Sequence, residues 1–229
     1  MKKAYFNWSS GKDSAMALWK LQQSQEVQVE LLLTTINKDY AHVSMHEVPE
    51  KLLERQAESL NIPLRKIHLP TEYTAPVYAE ILTKELLELR KNGFERAVFG
   101  DIFLEDLKRY REEQLKNVGI EAVFPLWKQD TATLMQEFLD SGFRAICVCV
   151  NLKYLDRSFC GREIDQNFLN DLPENVDPCG ENGEFHTFVF DGPIFRKAVA
   201  FKKGKSYTKT YPAPAGKWDA EFAYFQLKA

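Results

Sequence analysis

The sequence predicts an α/β fold in which a doubly wound parallel sheet is followed by a smaller C-terminal α+β domain. Strands alternate with helices through the first 128 residues, which is the pattern of βαβ units. Residues 30–36 form a continuous apolar run, as expected of a central parallel strand covered on both faces. After about residue 128 the chain becomes turn-rich and alternates in polarity, which favours antiparallel strands. We therefore predict domains over 1–128 and 129–229.

Each element of the first domain has its own signal. The first helix carries Ala15, Leu18 and Trp19 on one face, while Pro76 opens the third helix and Gly93 closes it. The predicted strands are 4–8, 30–36, 64–69, 96–100 and 121–124. Helices are predicted between and after them, the second over 47–60 and the fourth ending at Gly119.

The second domain begins with one more helix and strand and then changes character. A helix is predicted over 131–141 with Asp130 as its cap, and a buried strand over 144–150. Further strands are predicted over 184–190, near 195–203, and over 205–211 and 220–227. No flexible linker separates the two domains, so we expect them to pack as one rigid body.

Composition limits the classes of partner. The chain has 229 residues, 45% of them hydrophobic, and its 30 basic and 33 acidic residues give a net charge of −3. Such a mixture provides no basic footprint for nucleic acid, so we expect no nucleic-acid partner. No apolar stretch is long enough to cross a bilayer and the N-terminal residues lack the apolar region of a signal peptide. We expect no membrane partner and a cytoplasmic location.

The four cysteines are predicted to have no chemical role. Cys147, Cys149, Cys160 and Cys179 form no Cys-x-x-Cys pair and have no accompanying histidine spacing. Cys147 and Cys149 lie in a predicted buried strand, where a thiol packs as a small apolar group.

A loop of small and charged residues stands between the first strand and the first helix. Its sequence, Ser-Ser-Gly-Lys-Asp-Ser at 9–14, is neither a Walker A loop nor a Gly-x-Gly-x-x-Gly loop. A helix N-terminus favours an anion, and Lys12 would add a mobile positive charge. Ser9, Ser10 and Ser14 offer hydroxyls to phosphate oxygens, Gly11 permits close approach, and Asp13 either caps the helix or holds Mg²⁺. The alternative is that Asp13 or Ser14 only caps the helix.

Two other strand ends are candidates for the same site. Gly100 and Asp101 follow the fourth strand, and ligands of open α/β sheets lie at the carboxyl ends of strands where the strand order reverses. His46 follows the second strand. Alternatively, Gly100 and Asp101 form an ordinary turn and His46 is a polar loop residue.

A cluster of charged residues stands out in the second domain. Glu181, Glu184 and His186 fall within six positions around an Asn-Gly dipeptide, which predicts a tight turn between the two glutamates. Glu184 and His186 would then share one face of the following strand, with Phe185 facing inward. The cluster predicts a substrate site, and the alternative is an exposed polar hairpin. Candidates for phosphate or carboxylate contact are Arg109, Arg111, Arg157 and Arg162, of which Arg162 is favoured.

These motifs resemble those of a known family. The loop resembles the PP-loop, Ser-Gly-Gly-x-Asp-Ser, of ATP pyrophosphatases, with Ser10 in place of the second glycine. Residues 43–48, 98–106, 125–127, 155–162 and 179–193 together resemble the diphthine–ammonia ligase family over nearly the whole chain. The resemblance implies a HUP-type, Rossmann-like ATP-binding domain that uses ATP and Mg²⁺, and a smaller domain that closes over the phosphates.

The resemblance also implies a reaction. A substrate carboxylate would attack the α-phosphorus of ATP, and free ammonium would supply the nitrogen of the amide that forms. Ser9 to Ser14, His46, Gly100 and Asp101 would bind ATP, and Asp13 would bind the metal. Glu181, Glu184 and His186 would be catalytic and carry the acceptor chemistry, in which the carboxylates could recognise a cationic substrate, bind Mg²⁺ or deprotonate ammonium. Diphthine on an elongation factor is the family's acceptor, and a homodimer is left open.

One departure keeps the acceptor open. Archaeal members of the family have Glu-Gly-Gly-Glu-Phe-Glu-Thr, whereas this chain has Glu-Asn-Gly-Glu-Phe-His-Thr. His186 replaces an acid and changes the charge offered to a cationic substrate. A different carboxylate acceptor and a non-catalytic nucleotide sensor are therefore alternatives. A tRNA-modifying PP-loop enzyme would need a basic face or a reactive cysteine pair, which the sequence lacks.

Overall fold

The computed structural model describes residues 2–38, 42–43, 47–70, 73–211 and 220–229. The strands are β1 (Lys3–Asn7), β2 (Gln28–Asn37), β3 (His42–Val43), β4 (Leu64–Leu69), β5 (Arg96–Val98), β6 (Glu121–Val123), β7 (Arg144–Asn151), β8 (Phe185–Asp191), β9 (Lys202–Tyr211) and β10 (Ala220–Lys228). The helices are α1 (Lys12–Ser24), α2 (Glu50–Leu60), α3 (Ala75–Lys91), α4 (Glu105–Lys116), α5 (Thr131–Asp140) and α6 (Gln166–Asn170).

The first sheet is the predicted doubly wound α/β sheet. Among the described residues its order is β3-β2-β1-β5-β6, with β4 also paired to β2. All these pairings are parallel except that of the two-residue β3. Side chains of β1 alternate between the two faces: Phe6 joins a core with α1 and α2, and Tyr5 joins a second core with α3 and α4. The strand order reverses at β1, so a ligand crevice is expected between the ends of β1 and β5.

The second sheet is antiparallel, as the alternating segments predicted. Its order is β8-β7-β10-β9. The strand predicted near 195–203 is wrong, because one long strand, β9, begins only at Lys202. The alternative of a hairpin around Asn182 is also wrong, since β8 pairs with β7 and not with the segment before the turn.

The two sheets share one hydrophobic core. The core cluster that contains Phe6 and Leu18 also contains Phe138 of α5 and Phe188 of β8. Lys20 of α1 pairs with Glu137 of α5 at 2.6 Å. Because buried apolar contacts cross the junction, the second sheet has a fixed position against the carboxyl end of β1.

Two helix starts follow from their capping chemistry. Asp130 caps α5 as predicted, its carboxylate accepting from the Thr133 N–H at 2.8 Å. Helix α2 begins at Glu50 and not at residue 47, because Pro49 has an extended ψ of 136° at the cap position.

Of the helices in the described ranges, none is both long and apolar enough to cross a membrane.

Candidate active site at the junction of the two sheets

A cavity of about 480 Å³ opens where β1 and β5 end. Its polar wall includes Ser9, Gly11, Lys12, Asp13 and Ser14 from the loop after β1, and Gly100 and Asp101 from the loop after β5. From the second domain it takes Gly180, Glu181, Gly183, Phe185, His186 and Thr187. The structure therefore brings together most of the residues that the sequence singled out.

The rest of the cavity wall is mainly apolar, although Thr34, Thr35 and Arg111 also line it. Its apolar residues include Leu33 of β2, Ile67 of β4, Tyr78 and Leu82 of α3, and Leu107 of α4. A cavity with one polar end and one apolar end suits a ligand that is charged at one end and flat and apolar at the other.

The loop after β1 is held by its own serines. The Ser9 N–H donates to the Ser14 Oγ at 3.2 Å, and the two hydroxyl oxygens are 2.9 Å apart. Helix α1 has Gly11 at its cap position and no side-chain cap, so the alternative that Asp13 or Ser14 caps it is wrong. The Gly11 N–H donates to the Ser9 Oγ at 3.2 Å and the Lys12 N–H to the Thr187 Oγ1 at 3.0 Å. Within the described part of the chain, this leaves the N–H groups of Asp13 and Ser14 for an anion.

Ser10 adopts a backbone conformation that favours glycine. Its φ is 73°, in the left-handed region. Its side chain is buried, its Oγ has no hydrogen-bond partner among the described residues, and it does not line the cavity. The second glycine of the related PP-loop is therefore explained by this backbone conformation, which glycine adopts freely. Ser10 adopts it with backbone strain. Contact between its hydroxyl and a phosphate stays a prediction.

We expect Ser10→Gly to raise the free energy of unfolding by about 1 kcal/mol, measured by urea denaturation. The change relieves left-handed strain and removes a buried, unpaired hydroxyl, and the greater freedom of glycine in the unfolded chain offsets part of this gain. Gln25→Gly is the matched control. Gln25 also has a left-handed φ, 54°, but its side chain is exposed, so this change relieves backbone strain without removing a buried hydroxyl. A Ser10→Gly protein no more stable than wild type would contradict this account.

Lys12 is buried and held in place, so the expected mobile charge is wrong. The side chain is 3% exposed, and its Nζ lies 2.6 Å from the Asp13 carboxylate and 5.6 Å from the centre of the Phe185 ring. Burial alone would lower the pKa of Lys12, but Asp13, Cys179 and Glu181 outweigh it and the pKa is raised. Lys12 therefore stays a fixed positive charge at the polar end of the cavity.

Gly100 and Asp101 serve the site in different ways. A Cβ on Gly100 would lie 2.9 Å from the carbonyl carbon of Asp13, so only glycine lets the two loops approach this closely. Asp101 forms an ion pair with Arg111 of α4, with 3.0 Å between Oδ2 and Nε. Arg111 also lines the cavity, whereas the favoured Arg162 pairs with Asp171 and does not line it. Tertiary folding, not motif membership, brings an arginine to the site.

Strand β8 is joined to the loop by hydrogen bonds that the sequence did not predict. The Lys12 N–H donates to the Thr187 Oγ1 at 3.0 Å, and the Val189 N–H donates to the Ser10 carbonyl at 3.0 Å. The buried Gln56 amide donates to the Ser10 and Val189 carbonyls at 3.1 and 2.6 Å. Thr187 belongs to the quoted motif and could have been noticed, but nothing in the sequence signals Gln56.

Glu181 lies on a turn across the cavity from Lys12. The Gly183 N–H donates to the Gly180 carbonyl at 3.1 Å, so Glu181 and Asn182 are the central residues, not Asn182 and Gly183 as predicted. The Glu181 carboxylate accepts from the Ile102 N–H at 2.7 Å and so reaches the loop after β5. Burial, followed by the charges of Asp13 and Asp101, raises the pKa of Glu181 to about 7. It can therefore take up or release a proton near neutral pH.

This pKa has a consequence for stability. Between the ordinary carboxyl pKa and about 7 the folded protein binds a proton that the unfolded chain releases, so stability is lost as pH rises through this window. We expect wild type to lose on the order of 1–2 kcal/mol relative to Glu181→Gln between pH 5 and pH 8. Paired denaturation curves at both pH values measure this difference. Parallel pH profiles would show that the carboxylate titrates normally.

Glu184 and His186 differ in their access to the cavity. Glu184 is buried and does not line it; its Oε1 accepts from the Asp177 N–H at 3.2 Å and from the Asn182 side chain at 3.1 Å. These contacts hold the turn that carries Glu181. His186 lines the cavity, and Phe185, predicted to face inward, is buried yet also contributes to the wall. A direct catalytic role for Glu184 stays a prediction.

Two predicted contacts remain, that of His46 with the adenine and that of Asp13 with Mg²⁺. His46 lies outside the described residues. Within the described ranges no group of three or more His, Cys, Asp or Glu side chains is arranged to hold a metal ion. Asp13 is engaged with Lys12, and its pKa is raised by burial and by Asp177 and Asp101 against the lowering effect of Lys12.

The fold and the site together define a class of protein. A parallel sheet with a Ser-Gly-Lys loop at the end of its first strand, closed by a second sheet, is an α/β protein of the Rossmann-like class with a helix N-terminus at its cavity. Residues 1–122 match the diphthamide synthase N-terminal domain and residues 130–227 match the diphthamide synthase C-terminal domain. The chain belongs to the diphthamide synthase family.

Curated relatives agree with this membership. The chain is 29% identical over 163 residues to a diphthine–ammonia ligase of Danio rerio, covering 62% of each protein. It is 29% identical to that of Bos taurus, covering 70% of the chain and 66% of the relative. For the Mus musculus protein the identity is 26%, covering 83% of the chain and 79% of the relative. The chain thus spans less than two thirds of the first two relatives.

Proposed function

We propose that the chain is an ATP-dependent carboxylate–ammonia ligase of the diphthine–ammonia ligase type. The observation that carries the proposal is a hydrogen bond between the two domains, in which the Lys12 N–H donates to the Thr187 Oγ1 at 3.0 Å. Because of it, Glu181 and His186 face the same cavity as the anion-binding loop. The names of the relatives support the choice of reaction.

The nucleotide would occupy both ends of the cavity. Its phosphates would contact the start of α1, Lys12 and the serine hydroxyls, where a positive helix end and a buried ammonium stabilise negative charge. Its adenine would pack at the apolar end against Leu33 and Ile67. His46, which lies outside the described residues, is kept in the proposal as an adenine contact. Arg111 is a further candidate for phosphate contact, because its guanidinium lines the cavity beside Asp101.

Mg²⁺ would accompany the phosphates. After burial, the charges of Asp177 and Asp101 raise the pKa of Asp13, and those of Asp13 and Asp101 raise the pKa of Glu181. These four carboxyl groups outnumber the cations at the polar end, which are Lys12 and Arg111. A triphosphate would add negative charge, and Mg²⁺ prefers one or two carboxylates together with phosphate oxygens and water. Asp13 is the proposed ligand. The ion would neutralise charge on the departing pyrophosphate.

The reaction has two steps. A carboxylate oxygen of the acceptor attacks the α-phosphorus of ATP, and the bond between the α-phosphorus and the oxygen that bridges to the β-phosphate breaks. Pyrophosphate departs and an acyl-adenylate is formed. Ammonium loses a proton to Glu181, whose pKa of about 7 lets it act as a base at neutral pH. The nitrogen attacks the acyl carbon, AMP departs with both electrons of the broken bond, and the nitrogen releases its second proton to water. Lys12 stabilises the charge that develops on the phosphates.

The acceptor is proposed at the level of its chemistry. Diphthine is the acceptor suggested by the names of the relatives, and the resemblance of the motifs to the family implies that an elongation factor carries it. His186 lies in the cavity wall where related sequences have an acid, which favours a second candidate, a different carboxylate.

We also propose the domain boundary between 128 and 129 and leave homodimer formation as a prediction.

Release of AMP and pyrophosphate tests the proposal. Purified protein is given ATP, Mg²⁺, ammonium and a panel of carboxylates that includes diphthine-bearing elongation factor, and both products are quantified. We expect AMP, pyrophosphate and amide in equal amounts with one acceptor. ATP binding without either product across the panel would favour the sensor alternative, and absence of ATP binding would refute both.

A further inference from the structure

Gln56 of helix α2 has a fully buried amide where the two domains meet. The Gln56 side chain does not line the cavity. Its Oε1 accepts from the Trp8 Nε1–H at 2.9 Å. Its Nε2 donates to the Ser10 carbonyl at 3.1 Å and to the Val189 carbonyl at 2.6 Å. One amide therefore links α2 to the loop after β1 and to strand β8.

The partners of Gln56 require an amide in this orientation. The Trp8 indole can only donate, whereas the two carbonyls can only accept. A carboxylate would offer the carbonyls no donor, and an apolar side chain would leave the buried indole N–H unpaired. An amide turned by 180° would bring its own N–H groups against the indole N–H. The chemistry of its neighbours therefore fixes both the type and the orientation of this side chain.

Gln56 also fixes the peptide between Ser10 and Gly11. The Ser10 carbonyl accepts from the Gln56 Nε2 and from the Val189 N–H, the latter at 3.0 Å. The C=O and N–H of a trans peptide point in opposite directions, so the Gly11 N–H points away from Gln56 and donates to the Ser9 Oγ at 3.2 Å. Ser9 and Gly11 both line the cavity. The buried amide thus determines how the loop presents these groups to a bound anion.

The same hydrogen bonds hold Ser10 in its left-handed conformation. With φ of 73°, Ser10 lies in a backbone region that serine rarely adopts. Such a conformation persists only where the surrounding contacts enforce it. The hydrogen bonds from Gln56 and Val189 to the Ser10 carbonyl provide that enforcement. Without Gln56 we expect the loop to lose part of its fixed shape.

We propose that Gln56 is a positioning residue for the phosphates of ATP, which acts through the Ser10–Gly11 peptide and touches no ligand itself. The identity of the ligand rests on the proposed function; the hold on the peptide does not. Because Gln56 also donates to Val189, it keeps β8, the strand that carries His186, against the same loop. A loop that already has its binding shape need not be ordered when ATP binds, which favours affinity.

Gln56→Met tests this role. Methionine nearly keeps the volume and length of the side chain but donates to neither carbonyl. We expect the affinity for ATP, measured by calorimetry with Mg²⁺, to fall roughly tenfold, the scale of one hydrogen bond to a charged group. Wild-type ATP affinity in folded Gln56→Met would overturn the proposal. If Gln56→Met does not fold, Gln56→Asn replaces it, because that amide is one methylene too short to reach both carbonyls.

Ser59→Ala is the matched control. Ser59 lies one turn further along α2 and is also buried, and its Oγ accepts from the Lys197 N–H of the second domain at 3.1 Å. This change likewise removes a buried hydrogen bond between α2 and the second domain, but one that does not involve the loop. We expect its ATP affinity to stay within about twofold of wild type. An equal loss in Ser59→Ala would show that Gln56 is only structural and would overturn the proposal.

Amide hydrogen exchange measures the hold on the peptide without any ligand. In Gln56→Met we expect the Gly11 N–H to exchange roughly tenfold or more faster than in wild type, relative to the amide of Phe6 in the central strand β1. Unchanged relative exchange would refute the positioning role even where ATP binds. Faster exchange, together with a wild type that binds no ATP, would refute the proposed function and leave the hold on the peptide standing.

Discussion

Replacing Lys12 by methionine is expected to lower the affinity for ATP by about a hundredfold or more. The ammonium is buried, its position is set by the Asp13 carboxylate at 2.6 Å, and it lies at the polar end of the cavity. In the complex the ammonium would form a desolvated charge pair with the phosphates of ATP. Removing one partner of such a pair costs about 2–5 kcal/mol of binding free energy, and each 1.4 kcal/mol is tenfold in affinity. Calorimetry with ATP in the presence of Mg²⁺ measures the loss.

Two further proteins separate binding from folding. Lys20→Met removes a lysine of the same helix that pairs with Glu137 away from the cavity, and we expect its ATP affinity to be unchanged. The double variant Lys12→Ala, Asp13→Ala removes the pair together and so leaves no buried carboxylate without its partner. Wild-type ATP affinity in the double variant would exclude this loop as the phosphate site.

Replacing Glu181 by glutamine is expected to lower the rate of amide formation by about a hundredfold or more while ATP affinity changes little. Glutamine keeps an oxygen that can accept from the Ile102 N–H, now at 2.7 Å, but it cannot take a proton from ammonium. Loss of a general base typically costs a factor of 10²–10⁴. The measurement is the rate of amide formation at a fixed concentration of ammonium.

The pH profile gives this prediction its specificity. The base must be deprotonated, so the wild-type rate at a constant concentration of ammonium should rise with pH and level off above about 7, the pKa of Glu181. Glu181→Gln should lose that rise. Glu174→Gln, an exposed glutamate ahead of the same turn, should behave like wild type. A rise that persists in Glu181→Gln would assign the proton transfer to another group.

Glu184→Gln tells apart two accounts of the second glutamate. If Glu184 only holds the turn through Asp177 and Asn182, glutamine keeps one accepting oxygen and the loss should be smaller than for Glu181→Gln. If Glu184 meets the acceptor directly, the two losses should be similar. The ratio of the two rates under one set of conditions is therefore the informative quantity.

The sequence by itself determined the alternation of elements and the loops that line the cavity. Period-2 and period-3.6 apolar patterns depend on neighbouring residues, so they predicted the parallel sheet, the antiparallel sheet and the start of α5 at Asp130. The Ser9–Ser14 loop, Gly100 and Glu181 were recognisable because turn and charge chemistry is also local.

Only the tertiary structure decided how these pieces meet. Gln56 bridges Ser10 and Val189, which are 46 and 133 residues away from it, and no local pattern marks such a residue. The burial that fixes Lys12 and raises the pKa of Glu181 arises from the packing of one domain on the other. Hydrogen bonds, desolvation and charge coupling depend on distance in space, and distance along the chain does not specify it.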